Sequence, residues 1–291
     1  MKKILLITII FGIALNCKVQ GQTITSPIFM PKAKEIVTNL SIGYTTSKLK
    51  DTPANTNKSI EKSKNIILEG KYGATNTLSI NYGLNFDFSR TMNNLEENTK
   101  FTNFYLGATG RIIDTNKHKL DIIFNIGQET NKLPIIINKE QIYKELFVRY
   151  GLNLDKYNMG LSLGGKSYND YKEEDINTTT LAKEKIKIQK NTDIIAKFEN
   201  ELILTKNFTL GLDLFYKNSG AIKIKAQNAP TEKTKSYSEY GFNIDTNYII
   251  TENAIVGFYF TKTLNNIKLW QDNNFKNQDT YKFGLKLISK F

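Results

Sequence analysis

Apolar and polar residues alternate along most of this chain from Ile36 onward. The clearest run is Leu78–Ser89, in which apolar residues occupy every second position and polar residues or glycine lie between them. Successive side chains of a β-strand point to opposite faces, so each such run predicts a strand with one apolar and one polar face. Runs of this kind follow one another to the end of the chain, and the pattern therefore predicts an all-β protein.

Twelve strands and two classes of connection follow from this alternation. The strands cover about residues 36–45, 65–72, 77–89, 101–112, 119–128, 144–155, 158–168, a stretch ending at 204, a stretch starting at 208, 236–250, 254–264 and 280–291. Short connections (74–76, 114–117, 156–157, 205–207 and 251–253) alternate with long ones (46–64, 90–100, 129–143, 169–184, 226–235 and 265–279). Short turns on one side and longer loops on the other are typical of transmembrane β-barrels, and an even strand number places both termini on the short-turn side.

The first residues have the features of an export signal. Lys2 and Lys3 precede the apolar run Ile4–Leu15, and Val19-Gln20-Gly21 supplies a cleavage site, which predicts a signal peptide over residues 1–21. The apolar run has 12 residues and is too short to span a bilayer as a helix. Cleavage would remove Cys17, the only cysteine. Lipidation of Cys17 is an alternative, although Asn16 before it fits a lipoprotein signal poorly.

Residues 22–35 lack the alternation and are interrupted by Pro27 and Pro31. We expect them to form either a short periplasmic tail or a segment that enters the barrel lumen. The barrel itself is then expected to begin at Ile36 and to run to residue 291.

The last strand, Thr280–Phe291, has one apolar and one polar face and ends on an aromatic residue. Its pattern of Lys282, Gly284, Leu287 and Phe291 resembles the assembly signal of Gram-negative outer-membrane β-barrel proteins. The resemblance implies a 12-stranded antiparallel up-and-down barrel in the outer membrane. It also implies three partners, which are outer-membrane lipid, lipopolysaccharide and the barrel-assembly machinery.

Charged residues of both signs fall on the predicted lumen face. The candidate lumen and selectivity residues are Lys197, Glu199, Glu201, Asp213, Arg111 and Arg149, together with Lys185, Lys187, Lys223 and Lys225. A self-satisfying network of opposite charges and a selectivity filter both remain open at this point. Glycine recurs at inward positions, as at Gly83, Gly151 and Gly241, where a missing side chain lets a strand bend as a barrel closes.

The last four of those lysines flank the eighth and ninth predicted strands. If the turn between the two strands centres on Lys206, antiparallel pairing places Lys187 level with Lys225, and Ile188 level with Ile224. The two strands would then form one long hairpin that rises above the membrane. Opposed like charges destabilise a strand pair, so an anion such as a lipopolysaccharide phosphate, an acidic sugar or a phosphorylated solute is the expected ligand. Lysine at a sheet edge also opposes aggregation, which is the competing explanation.

Composition and motifs argue against other functions. The net charge of +12 and the pI of about 9.4 come from dispersed lysines with no nucleic-acid motif, so we expect no nucleic-acid partner. The only histidine, His118, lies between two lysines in a short turn, and the predicted mature chain has no cysteine. We therefore expect no enzyme activity, no metal site and no cofactor.

The leading hypothesis is a narrow passive channel for small hydrophilic solutes, with anions as one candidate class. A second hypothesis is a non-conducting barrel that binds surfaces through its long basic loops. A third is an autotransporter-like translocator, which is weakened because residues 22–35 are too few for a passenger domain.

Overall fold

The computed structural model describes residues 23–50, 59–92, 95–97, 100–133, 136–176, 183–188, 192–221, 223–226, 232–233, 236–266 and 276–291. The regular elements in these ranges are all β-strands. No helix in the described ranges is long and apolar enough to cross a membrane.

Seventeen strands occur in the described part of the chain. They are β1 (Ile36–Lys50), β2 (Ser59–Gly73), β3 (Leu78–Met92), β4 (Leu95–Glu97), β5 (Lys100–Asp114), β6 (His118–Leu133), β7 (Ile136–Leu154), β8 (Tyr157–Tyr168), β9 (Tyr171–Ile176), β10 (Lys183–Ile188), β11 (Thr192–Thr205), β12 (Phe208–Ser219), β13 (Lys223–Ala226), β14 (Glu232–Lys233), β15 (Tyr237–Thr251), β16 (Ala254–Asn266) and β17 (Lys276–Lys290).

Twelve long strands form one closed antiparallel barrel. The sheet runs β2-β1-β17-β16-β15-β12-β11-β8-β7-β6-β5-β3, and pairing of β2 with β3 closes the circle. The three-residue β4 adds to β3 at the rim. The barrel strands are neighbours in chain order, except that the first also pairs with the last. The prediction of a 12-stranded up-and-down barrel is therefore confirmed.

The last strand closes the barrel as predicted. β17 pairs with β16 on one side and with β1 on the other, so Gly284 lies level with Gly43. The final residue, Phe291, exchanges two backbone hydrogen bonds with Ile36, at 2.8 and 2.9 Å. These bonds satisfy backbone groups that would otherwise form an open sheet edge.

The strands are longer than the sequence pattern predicts, and most predicted long loops are correspondingly too wide. β6 continues to Leu133 and β7 begins at Ile136, so the expected loop 129–143 is mainly a hairpin. The same holds for 46–64, where β1 and β2 extend to Lys50 and from Ser59. These extensions lie beyond the apolar band, where water surrounds both faces and no alternation is needed.

A second sheet stands at the long-loop end of the barrel. Its four strands have the order β14-β13-β10-β9, and we call it the extension sheet. Lys187 pairs with Lys225, and Ile188 pairs with Ile224, which confirms the predicted register. The predicted single long hairpin is wrong in two respects, because β10 and β13 belong to a sheet separate from that of β11 and β12, and because β9 and β14 add a strand on each side.

The two faces of the barrel wall differ as the alternation predicts. Large apolar side chains remain exposed on the outer face, for example Leu285 at 63%, Leu163 at 62% and Ile42 at 58%. The inner face buries polar and charged groups, including Ser79, Asp121 and Asn158 at 0% exposure. An apolar outside around a polar inside is the inverse of a water-soluble protein and fits a barrel surrounded by hydrocarbon.

Candidate functional site: the barrel lumen

Many charged groups on the inner wall form ion pairs between different strands. Lys286 lies 2.7 Å from Asp245, Lys217 lies 2.9 Å from Glu239, and Lys166 lies 2.5 Å from Glu129 and 3.6 Å from Glu145. Each pair joins inward positions of different strands. The sequence allowed a network of opposite charges without deciding whether it forms, and the structure contains such a network. It does not include every inward charge.

Residues 23–30, which we call the lumenal segment, lie inside the lumen at its short-turn end, and the following Lys32, Ala33 and Lys34 are exposed. The chain is anchored at Gly73, whose backbone accepts from Lys34 N at 2.7 Å and donates to Glu35 O at 2.9 Å. From there the lumenal segment passes β5 and β7 and reaches β11. On the opposite wall, Ile24 and Phe29 pack against a small apolar cluster of Val37, Ile255 and Ile288. The segment thus spans the lumen from wall to wall.

Two arginines hold the lumenal segment through its main chain. Arg111 and Arg149 share the buried carboxylate of Asp121, with nitrogen–oxygen distances of 2.8 and 2.6 Å. Arg111 also donates to the carbonyl of Ile28, and Arg149 donates to the carbonyl of Pro27, both at 2.6 Å. Because Asp121 pairs with both arginines, a residue of the barrel wall itself helps to orient their side chains. We call these three residues the arginine cluster.

Glu201 holds the beginning of the segment. Its carboxylate is 2% exposed and accepts from Thr23 Oγ1 at 2.6 and 2.7 Å, from Thr25 Oγ1, and from Asn158 Nδ2 at 3.0 Å. Among the described residues, the hydrogen-bond partners of this acid are hydroxyl and amide groups. A buried carboxylate must be hydrogen-bonded, and two of its three donors come from the lumenal segment.

Two inward glycines make room for the segment. A Cβ atom at Gly151 would lie 2.3 Å from Ile28 Cγ2, and one at Gly160 would lie 3.4 Å from Pro27 Cβ. Gly83 and Gly241 instead accommodate aromatic rings of neighbouring strands, those of Tyr105 and Phe215. The recurrent inward glycines therefore allow an aromatic ring or the lumenal segment to approach the strand backbone closely.

A cavity of about 490 Å³ lies above the lumenal segment. Thr25, Ser26, Pro27 and Phe29 contribute to its lining, together with charged residues of the wall. These charged wall residues are Glu69, Lys71, Glu145, Arg149, Lys197, Glu199, Asp213 and Lys286. Lys71 donates to the carbonyl of Phe29 at 3.2 Å, and Lys197 lies over the ring of Phe147 at 4.9 Å. Neither lysine is part of the ion pairs described above.

The structure divides the predicted lumen residues into three groups. Lys197, Glu199 and Asp213 line the cavity, where Asp213 accepts from Asn243 Nδ2 at 3.1 Å. Glu201 and Arg111 lie below it and hold the segment, and Arg149 does both. Sequence reasoning missed Thr23 and Thr25 as parts of this site. The prolines and the lack of alternation in 22–35 were the only signals.

The predicted lysines of the extension sheet lie apart from the lumen. Lys223 and Lys225 are exposed, and Lys187 lies 2.7 Å from Asp170. The backbone register places Lys187 level with Lys172 on one side and Lys225 on the other. Lys185 is level with Glu174. Three lysines thus occupy one row across three strands.

His118 begins β6 at the short-turn end. Its Nδ1 lies 2.6 Å from the hydroxyl of Tyr150, and both residues are exposed. Among the described residues, no three potential metal ligands cluster together.

Among the assembly-signal residues, Gly284 and Leu287 lie in β17 on opposite faces. Gly284 is buried beside the hydroxyl of Tyr259, whereas Leu287 is 43% exposed on the outer face. Phe291 is 77% exposed at the rim, and Lys282 lies level with Thr45 of β1.

A closed barrel of twelve antiparallel strands, apolar outside and charged inside, is an outer-membrane β-barrel. Neither a protein-family model nor a curated protein matches the sequence. Among solved structures, the chain is similar to an outer-membrane channel from Pseudomonas putida F1, with a TM-score of 0.61, 12% identity, and coverage of 94% of this chain and 100% of that one. It is also similar to the translocator domain of the autotransporter NalP from Neisseria meningitidis, with a TM-score of 0.50, 8% identity and coverage of 88% of each chain. At these identities the likeness concerns the fold alone.

Proposed function

We propose that this protein is a narrow passive channel of a Gram-negative-type outer membrane that admits small hydrophilic solutes. The observation that carries the proposal is the polar cavity of about 490 Å³ inside a closed barrel. This volume lies within the range of about 300–1,000 Å³ found for small-molecule sites. Twelve strands fall between barrels of about 8 strands, filled by side chains, and those of about 16–18, which leave an aqueous channel.

We further propose that the channel favours anions. The charged residues of the cavity itself are balanced, so the support comes from the exposed lysines of the extension sheet, which lie at the long-loop end. Directly opposed like charges are unfavourable unless acids neutralise them, and Lys187 already pairs with Asp170 at 2.7 Å, so the exposed Lys223 and Lys225 are the lysines that an anion would meet. The phosphate groups of lipopolysaccharide and those of a phosphorylated solute both supply that chemistry.

Planar-bilayer recording of the refolded protein tests conduction, and reversal potentials in a salt gradient test selectivity. The informative variant replaces Lys185, Lys187, Lys223 and Lys225 with glutamine. A unit charge about 4 Å from an ion is worth about 1 kcal/mol in water, which is about fivefold in permeability, and salt weakens it. We expect the ratio of anion to cation permeability to fall by about two- to fivefold at low salt and less at 1 M salt.

A matched control removes the same number of charges from the outside of the same end. Lys48, Lys62, Lys64 and Lys144 are exposed residues at outward positions of β1, β2 and β7. Their replacement by glutamine is expected to leave selectivity unchanged. Equal selectivity of the wild type and both variants would contradict an anion role for the extension sheet.

The lumenal segment supports a second candidate, a barrel whose lumen is blocked and which binds surfaces through its extension sheet. Liposome swelling in sugar solutions separates the two functions. A channel gives swelling that slows as the sugar grows, whereas a permanently blocked barrel gives none.

A further inference from the structure

We propose that the short-turn end of the lumen is a binding site for a peptide folded into two consecutive turns, and that residues 23–30 occupy this site as a displaceable gate. The ligand class is an unbranched stretch of polypeptide, recognised through main-chain carbonyls and small hydroxyl side chains. The gating role rests on the proposed channel function, whereas the binding site does not. The occupant in this structure is the lumenal segment itself.

The arginine cluster is the main receptor for the peptide backbone. Arg111 and Arg149 are 9% and 6% exposed, and each donates to a carbonyl of the segment at 2.6 Å. Carbonyl recognition depends on the path of the chain and not on side-chain identity. The segment makes two consecutive turns, in which Ser26 N donates to Thr23 O at 3.1 Å and Phe29 N donates to Ser26 O at 3.0 Å, so the site fits this turned path.

Glu201 selects hydroxyl side chains at the start of the occupant. Thr23 and Thr25 are two residues apart and both donate to its carboxylate. Both threonines lie in the turn that is closed by the hydrogen bond from Ser26 N to Thr23 O, and this turn brings their two hydroxyls to a single carboxylate. A Thr-x-Thr sequence is thus a feature that the site can read.

Gly151 and Gly160 provide the shape of the site. Both are buried inward positions of β7 and β8, and they lie level with each other. At Gly151, Ile28 occupies the space that a Cβ would fill. At Gly160, Pro27 lies next to that space. The site therefore combines donors, an acceptor and a shaped apolar surface.

The contacts also explain why the occupant can leave. The ion pairs of Asp121 with Arg111 and Arg149 lie within the barrel wall and persist without the segment. Departure exchanges neutral carbonyls and hydroxyls for water around Arg111, Arg149 and Glu201, so no ion pair is broken. The anchor stays in place, because Ala33 donates to Asn76 Oδ1 at 3.1 Å and the Gly73 hydrogen bonds lie outside the segment. Pro31, between the segment and the anchor, marks the point where they divide.

A disulfide that fixes the segment tests the gate. A Cβ at Gly160 would lie 3.4 Å from Pro27 Cβ, which is close to the separation of about 3.5–4.5 Å that a disulfide needs. The double variant Pro27→Cys, Gly160→Cys is made in the chain without the predicted signal peptide, which has no other cysteine. It is recorded in planar bilayers before and after reduction with dithiothreitol. A segment that the disulfide fixes in the site keeps the channel closed. Reduction releases the segment, so we expect the open probability to rise by roughly tenfold or more.

The single variants Pro27→Cys and Gly160→Cys are the matched controls. Each carries one of the two changes without the cross-link, and dithiothreitol should leave their conductance unchanged. Equal, non-zero conductance of the oxidised and reduced double variant would overturn the gate.

Gly151→Ala weakens the site from the receptor side without a cysteine. The added Cβ would meet Ile28, and we expect a higher open probability than in the wild type. Gly110→Ala is the control, since a Cβ at Gly110 meets no heavy atom within 4 Å. An unchanged open probability in Gly151→Ala would count against the site.

Thiol labelling separates failure of the gate from failure of the channel. Ser26 is 5% exposed beneath the cavity, and the variant Ser26→Cys is labelled with a water-soluble maleimide in detergent. The exposed turn variant Thr75→Cys gives the labelling rate of a free position. If neither redox form conducts but Ser26→Cys is labelled slowly and completely, the displaceable segment stands and the channel function fails. Absence of both conduction and labelling overturns the displaceable segment as well.

Discussion

Asp121 and Ile122 are neighbours in β6, yet they belong to two surfaces with different requirements. Asp121 is 0% exposed and binds two arginines, whereas Ile122 is 40% exposed on the outer face. The outer face requires only that a side chain be apolar, because hydrocarbon offers no specific partner. The inner face requires particular partners, because each buried polar group must be satisfied. One strand therefore carries positions of low and high specificity in alternation.

The largest effect is expected where the inner face loses a shared partner. Asp121→Asn removes the charge that pairs with two buried guanidinium groups, those of Arg111 and Arg149, and leaves the longer contact of Arg111 with Asp114, at 3.9 Å. Breaking a buried pair in this way costs about 3–5 kcal/mol. Urea unfolding in detergent micelles or lipid vesicles measures the loss. Ile122→Val, one residue away on the outer face, is the control and should lose less than about 1 kcal/mol, because its surroundings are lipid.

On the outer face, a charged side chain is expected to destabilise the barrel, whereas an apolar side chain of different shape is not. Leu106 is 56% exposed near the middle of β5, and Leu106→Arg should destabilise the folded barrel by about 2–4 kcal/mol if it lies at the bilayer midplane. Leu106→Met keeps the position apolar and should be nearly neutral. A neutral Leu106→Arg variant would show that this face does not contact hydrocarbon.

Replacement of a glycine by alanine is expected to change stability least of the three substitutions, and it compares the two faces of the wall directly. A Cβ at the inward Gly83 would lie 2.2 Å from Tyr105 Cε1, so Gly83→Ala forces the ring to move and should cost about 1–3 kcal/mol. Gly110→Ala has open space on the outside and should cost nothing measurable. Equal stability of the two variants would contradict the close packing at Gly83.

The sequence predicted the barrel well because lipid on one side and a polar lumen on the other impose period two. Even the register of Lys187 with Lys225 follows from counting residues outward from a turn near Lys206. The loop limits were wrong because strands such as β6 and β7 continue into water, where neither face must be apolar. The strands β9 and β14 of the extension sheet were missed for the same reason.

The lumenal segment shows the limit of pattern reasoning. Arg111 and Arg149 were recognised as lumen residues, but their partners are the carbonyls of Ile28 and Pro27. Carbonyl groups occur at every residue, so the sequence holds no sign of this contact. Glu201 was also selected, whereas its donors Thr23 and Thr25 lie far away in sequence. Contacts of this kind appear only once the chain path is known.

The central claim is that alternate residues of each strand face lipid and lumen. Tryptophans placed one at a time at Leu146, Phe147, Val148 and Tyr150 of β7, with Trp270 replaced by phenylalanine, test it in vesicles of lipids with brominated acyl chains. The account predicts strong fluorescence quenching at Leu146, Val148 and Tyr150, whose side chains are exposed, and weak quenching at Phe147, which is 4% exposed. Quenching that is equal at all four positions, or absent from all of them, would contradict it.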